Sequence, residues 1–159
     1  MMTRFISVAL AACAVICFVA ATNTAQKEAP RMTRATGSFE VKLVPQTDEG
    51  QDAVLGRMTI DKQFHGDLEG TSRGQMLSLM TETKGSGAYV AIEKVTAKLH
   101  GKSGTFALYH SATMTRGTPS LSITVVPDSG TGELAGISGK MTIDIVEGKH
   151  FYVFEYSLP

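Results

Sequence analysis

The sequence predicts an all-β domain, a single eight-stranded antiparallel β-barrel running from Gly37 to Leu158. Three observations carry that expectation. Apolar and polar residues alternate with a period of two through most of the chain beyond Gly37. Gly-punctuated segments interrupt the alternation at short intervals, the clearest being Val125 to Gly139, with a partial echo at Gly66 to Ser72. No window longer than a turn or two keeps a helical period, which argues against βαβ crossovers and a parallel sheet. Two packed sheets would satisfy the same alternation and form the alternative architecture.

The chain opens on an export signal. Arg4 supplies one positive charge, Phe5 to Ala21 is an uncharged apolar run, and Val19-Ala20-Ala21 offers small residues for cleavage after Ala21. The run sits at the short edge of the ~17–25 residues that cross a bilayer, and no Lys/Arg cluster follows at once, so no stable membrane span is expected. The product is expected to be exported, periplasmic or secreted. Leu10-Ala11-Ala12-Cys13 also matches a lipobox, which makes acylation at Cys13 the alternative, although the chain stays apolar well past Cys13.

Cleavage removes both cysteines, Cys13 and Cys17, so the mature domain has no disulfide, thiol nucleophile or Cys metal site. The full chain carries 15 basic and 15 acidic side chains. Such a near-neutral surface has no electrostatic footprint for nucleic acid. Residues 22–36 are poor in apolar side chains and read as a flexible tether, and 37–158 as one barrel domain.

Within the domain, Phe39, Val41 and Leu43 alternate with Glu40 and Lys42. Strands are expected next at Val54–Phe64, Gly70–Thr81 and Ala88–Leu99. Phe106, Leu108, His110, Ala112 and Met114 then share a face, as do Leu121, Ile123 and Val125. Lys140–Val146 precedes a last strand that carries His150, Tyr152, Phe154 and Tyr156. Turns are expected at Gly66, Gly85 to Gly87, Gly101 to Gly104, Gly117 to Pro119 and Glu147-Gly148. Gly56 to Asp61 recurs almost letter for letter as Gly139 to Asp144, which reads as shared hairpin grammar and not as a duplicated site.

Phe64 to Ser72, Gly87 to Glu93, Phe106 to His110 and Val125 to Gly139 together resemble a bacterial family known as domain of unknown function 3224. The resemblance covers Gly37 to Leu158. It implies a small eight-stranded barrel with an internal cavity, related to allene oxide cyclases, and the Gly-Thr-Gly turn is similar to that of plant dirigent proteins. It implies no activity.

Gly70 to Gly74 matches the G-x-S-x-G elbow of serine hydrolases, but that motif needs a strand turning into a helix. Inside an alternating β-run it reads as a Gly-relieved strand, so Ser72 is not expected to be a nucleophile. His65, His100, His110 and His150 contain no H-x-H or H-E-x-x-H spacing. A metal site would need His110, His150 and Glu93 to meet in space, and neither metal nor cofactor is expected.

His110 shares the apolar face of its run, and Glu93 shares a face with Tyr89, Ala91 and Val95. Two titratable groups turned inward need each other, a neighbour or a ligand. The candidate ligand-binding residues are therefore Tyr89, Glu93, His110 and Tyr156, with Glu93 and His110 also the candidates for acid/base chemistry. The thioethers of Met58, Met76, Met80, Met114 and Met141 suit either a core or an adaptable lining. The expected function is binding of a small apolar or amphipathic molecule. The alternative, by analogy with allene oxide cyclases, is an isomerase or cyclase. Homo-oligomerisation is left open.

Overall fold

The computed structural model describes residues 31–47 and 54–159. The leader, its cleavage site, Cys13 and residues 22–30 of the tether lie outside them. The strands are β1 (Thr33–Gln46), β2 (Leu55–Gly66), β3 (Leu68–Met80), β4 (Gly87–Leu99), β5 (Lys102–Thr115), β6 (Thr118–Val125), a two-residue bridge β7 (Thr131–Gly132), β8 (Ser138–Val146) and β9 (Lys149–Ser157). Eight of them form a closed antiparallel barrel, in which each pairs with the next and β9 returns to β1. The bridge β7 adds a short pairing to the edge of β5 at Gly104 and Thr105. Among the described residues, no helix is long and apolar enough to cross a membrane.

Cα partners advance one for one through the strand pairings, so the two-residue side-chain period carries unbroken around the ring. Odd-numbered residues of β1, β4, β6 and β8 therefore face inward, together with even-numbered residues of β2, β3, β5 and β9. The tightest reversals, at His100-Gly101, Arg116-Gly117 and Glu147-Gly148, have both residues at positive φ. Two left-handed residues match the twist of the strands they join, which is why each pair ends in Gly. Two expected turns are accordingly shorter than read: Lys102 to Gly104 belong to β5, and Thr118-Pro119 to β6.

β1 begins at Thr33, inside the segment read as tether. Ala35 explains this: it is wholly buried in the core, and Thr33 pairs with Tyr156.

One end of the barrel is filled. Phe64, Leu68, Leu99, Phe106, Leu108 and Phe154 are buried there, with Phe106 stacked on Phe154 at a centroid distance of 5.6 Å. The segment between β6 and β8 folds under this end and inserts Leu134 and Ile137, both buried. Its backbone is tied to β5 through Glu133 N to Ser103 O at 3.0 Å and closed on itself through Ile137 N to Leu134 O at 3.2 Å. Burial of each such side chain stabilises by roughly 1.5–3 kcal/mol. A buried Tyr152 hydroxyl straps the same end, accepting from Leu68 N at 2.9 Å and donating to the His65 carbonyl at 3.2 Å.

The other end differs. Leu43, Met80, Met114, Leu121 and Ile145 continue the inward phase of their strands yet are between 42 and 65 % exposed. The barrel is thus plugged at one end and carries an exposed apolar rim at the other.

Candidate functional site

Between plug and rim, four polar side chains converge on the inner wall. Each arrives by alternation. Lys62 lies between Ile60 and Phe64 on β2, Ser72 between Gly70 and Gly74 on β3, Glu93 between Ala91 and Val95 on β4, and His110 between Leu108 and Ala112 on β5. All four are buried, and Glu93 has no exposed surface.

Glu93 is the hub. Lys62 Nζ donates to Oε1 at 2.7 Å, Ser72 Oγ donates to Oε2 at 2.7 Å, and His110 Nε2 lies 2.9 Å from Oε1. Lys62 also lies 4.9 Å from the ring centre of Phe39 and 5.8 Å from that of Phe64, which offer π faces to its charge. Burial pushes the Glu93 carboxyl up, but the His110 hydrogen bond and the Lys62 charge outweigh it and hold the group at about 2. Glu93 is therefore a carboxylate, with only acceptors to offer.

That fixes the imidazole. Nε2 must carry the hydrogen it shares with Glu93, because a carboxylate can only accept. Among the described residues, no buried side-chain nitrogen or oxygen lacks a hydrogen-bond partner. Nδ1 has no protein partner among them, so it is not wholly sealed from solvent.

Gly74 makes room for the cluster. A Cβ there would run into the Ile92 carbonyl and come within 2.6 Å of the Glu93 Cβ.

Tyr89 lies on the same inner face of β4, nearer the rim and half-buried. Burial, reinforced by the Glu93 charge, raises its hydroxyl pKa, so it is a donor at neutral pH. Tyr156 lies elsewhere. It is buried toward the plugged end, stacked on Phe154 at 5.3 Å, with its hydroxyl 2.8 Å from His100 Nδ1. The structure thus brings Glu93 and His110 into contact, sets Tyr89 above them, and separates Tyr156 from them.

His150 packs against the Phe39 ring at 5.0 Å, and His65 pairs with Glu40 at 2.8 Å on the surface. Among the described residues, no group of three His, Cys, Asp or Glu side chains is placed to hold a metal ion. The assembly of His110, His150 and Glu93 weighed from sequence does not form.

Sequence reasoning passed over Lys62 and Ser72. The signal for Lys62 was present: the same alternation that turns Ile60 and Phe64 inward turns Lys62 inward. Ser72 enters the sequence analysis only as a candidate nucleophile, although it shares the inward phase of Leu68. Its hydroxyl is a donor to a strongly ionised carboxylate, which is a poor base for activating it.

A family model described as "Protein of unknown function (DUF3224)" matches residues 35–156. The chain belongs to the DUF3224 family. A crystal structure of a DUF3224 protein of unknown function from Shewanella oneidensis is 49 % identical, covering 81 % of this chain and 99 % of its own, with a TM-score of 0.76. No curated protein matches the chain. The DUF3224 match spans every strand that carries the Glu93 cluster, and begins at Ala35, within β1.

Proposed function

We propose that this DUF3224 protein binds a small amphipathic molecule in the open end of its barrel. The apolar body lies against the Met and Leu side chains of the rim, and a polar group meets His110 Nδ1, with Tyr89 beside it. One observation carries the reading: a buried ion cluster leaves one nitrogen of His110 without a protein partner, in a barrel whose far rim is apolar and exposed. Most buried polar side-chain atoms are hydrogen-bonded, so an imidazole nitrogen without a protein partner is a place for a water or a ligand. Concave apolar sites with a few convergent polar groups are the usual form of ligand pockets.

The test is displacement of the fluorescent dye anilinonaphthalene sulfonate, together with native mass spectrometry of protein from its host. Met114→Glu at the rim should abolish dye binding, and Leu77→Glu on the outer wall should leave it intact. Equal effects of the two substitutions would place the apolar site outside the barrel and end this reading.

A second reading, isomerase or cyclase, is favoured by the Glu93–His110 pair. A carboxylate that holds Nε2–H leaves Nδ1 as a base for a bound substrate. Fold analogy is a weak warrant for chemistry, so binding stands first. Turnover of an unsaturated epoxide that is lost in His110→Phe would reverse that order. The leader read from the sequence supports action outside the cytoplasm, and an intact mass beginning at Thr22 is its test.

A further inference from the structure

The outer wall of the barrel is not uniform. On β6 the outward residues are Thr118, Ser120, Ser122 and Thr124, a solvated face of hydroxyls. In the same ring, β2 to β5 turn Leu55, Leu77, Leu79, Val90, Ile92 and Tyr109 outward, each between 38 and 59 % exposed. The strand register makes these one patch: Leu55 stands opposite Leu79, Leu77 opposite Val90 and Ile92 opposite Tyr109. Contiguous exposed apolar surface rimmed by polar groups marks an interaction site.

Cations frame the patch. Leu77, Val90, Ile92 and Tyr109 line a surface hollow of about 960 Å³ together with Arg57, Arg73, Lys94 and Asp61. Arg57 stands opposite Leu77, and Arg73 opposite Lys94 at the edge toward the plug. Asp61, the one carboxylate of that lining, is paired with Arg73 at 3.3 Å. Three cations against one anion complement a negatively charged partner. A second copy of the chain fits poorly: docked about a two-fold axis between β3 and β4, it would set Arg73 against the Lys94 of its twin. Three strand spacings of ~4.8 Å by six residue rises of ~3.3 Å outline about 300 Å², under half of the ~800 Å² that each partner of a stable protein complex buries. A bilayer sets no such minimum, because apolar burial and charge attraction add over lipids that adapt to the outline.

We propose that the outer wall of β2 to β5 docks reversibly on a bilayer carrying anionic head groups. Leu77, Val90 and Ile92 enter the apolar side of the head-group layer, Tyr109 sits at its boundary, and Arg57, Arg73 and Lys94 meet the phosphates. This surface lies outside the barrel and shares no side chain with the Glu93 cluster, so it stands apart from the ligand-binding reading.

The chain contains no tryptophan, so Ile92→Trp on the apolar wall and Ser122→Trp on the hydroxyl wall each supply a single fluorophore. The probe is a vesicle of equal parts phosphatidylglycerol and phosphatidylcholine, the latter brominated on its acyl chains. Emission from Ile92→Trp should shift to the blue and be quenched, and emission from Ser122→Trp should not. Brominated phosphatidylcholine alone should quench neither. The contrast between the two positions also discounts anchoring of the whole chain by its apolar leader. Lys94→Ala in the Ile92→Trp background should lower the apparent vesicle affinity about fivefold, the effect of one basic residue at an anionic surface. Leu77→Glu, expected to be neutral for dye binding at the rim, should lower it further. Equal quenching at the two positions, or quenching that ignores phosphatidylglycerol, overturns the proposal. No quenching of a barrel that circular dichroism shows to be folded also overturns it, and leaves the wall to an acidic protein segment. A blue shift without lipid that grows with protein concentration assigns the wall to a second copy and overturns it too. None of these results touches the ligand-binding reading, which Met114→Glu tests.

Discussion

Lys62 and His110 stand on β2 and β5, with β3 and β4 between them, yet both reach one atom, Oε1 of Glu93, at 2.7 and 2.9 Å. The barrel curves these four strands around a single carboxylate, which depends on all its partners for its charge.

Lys62→Met is expected to destabilise the domain by an amount on the order of 3–5 kcal/mol in urea unfolding, because it strips the cation from a buried anion. The paired change Lys62→Met with Glu93→Leu should cost less than Lys62→Met by itself, since no orphaned charge remains. A loss within about 0.5 kcal/mol for the single variant, the usual surface range, would show that the ion pair contributes nothing.

Acid should weaken the fold in a defined window. The folded Glu93 carboxyl is held at about 2 against an ordinary value of 4.5, so its contribution is fully present above 4.5 and is lost as pH falls toward 2. The loss is on the order of 3 kcal/mol. Chemical unfolding at a series of pH values checks it, with Glu93→Gln expected to flatten the curve across that window.

Gly74→Ala should cost about 1–3 kcal/mol, the range for overpacking, because the new methyl meets the Ile92 carbonyl and the Glu93 Cβ. Its neighbour Arg73, whose side chain is 90 % exposed beside Asp61, should tolerate alanine within about 0.5 kcal/mol. Similar losses at the two positions would mean that the inner wall is not tight at Glu93.

The two barrel ends should respond differently to truncation. Leu134→Ala empties the plug and is expected to lose about 2–5 kcal/mol in thermal or urea unfolding. Ile145→Ala at the rim, where the residue is 65 % exposed, should change stability within about 0.5 kcal/mol.

The period of two made the barrel readable, because a strand buried on one face must alternate and a helix cannot. The same period placed Glu93 and His110 on inward faces. It could not say which strands meet around the ring, so their contact was invisible, as was the distance of Tyr156 from both. Lys62 was missed for another reason: a lysine in a polar-looking stretch is usually solvated, and only a partner two strands away makes its burial tolerable. The start of β1 was missed because Ala35 is small and its pairing partner, Phe154, lies at the far end of the chain.

The seam between β1 and β9 has a topological consequence. Thr33 pairs with Tyr156, so the first and last strands are as much neighbours as any hairpin, and the ring itself has no beginning. Glu147-Gly148 is a two-residue reversal at the open end, away from the plug and the carboxylate. A chain cut there and rejoined through a short linker between Ser157 and Thr33 would trace the same circle from a different starting point. In such a permutant β9 would lead the chain into β1 and β8 would come last, while Lys62, Ser72, Glu93 and His110 would still follow one another along four consecutive strands.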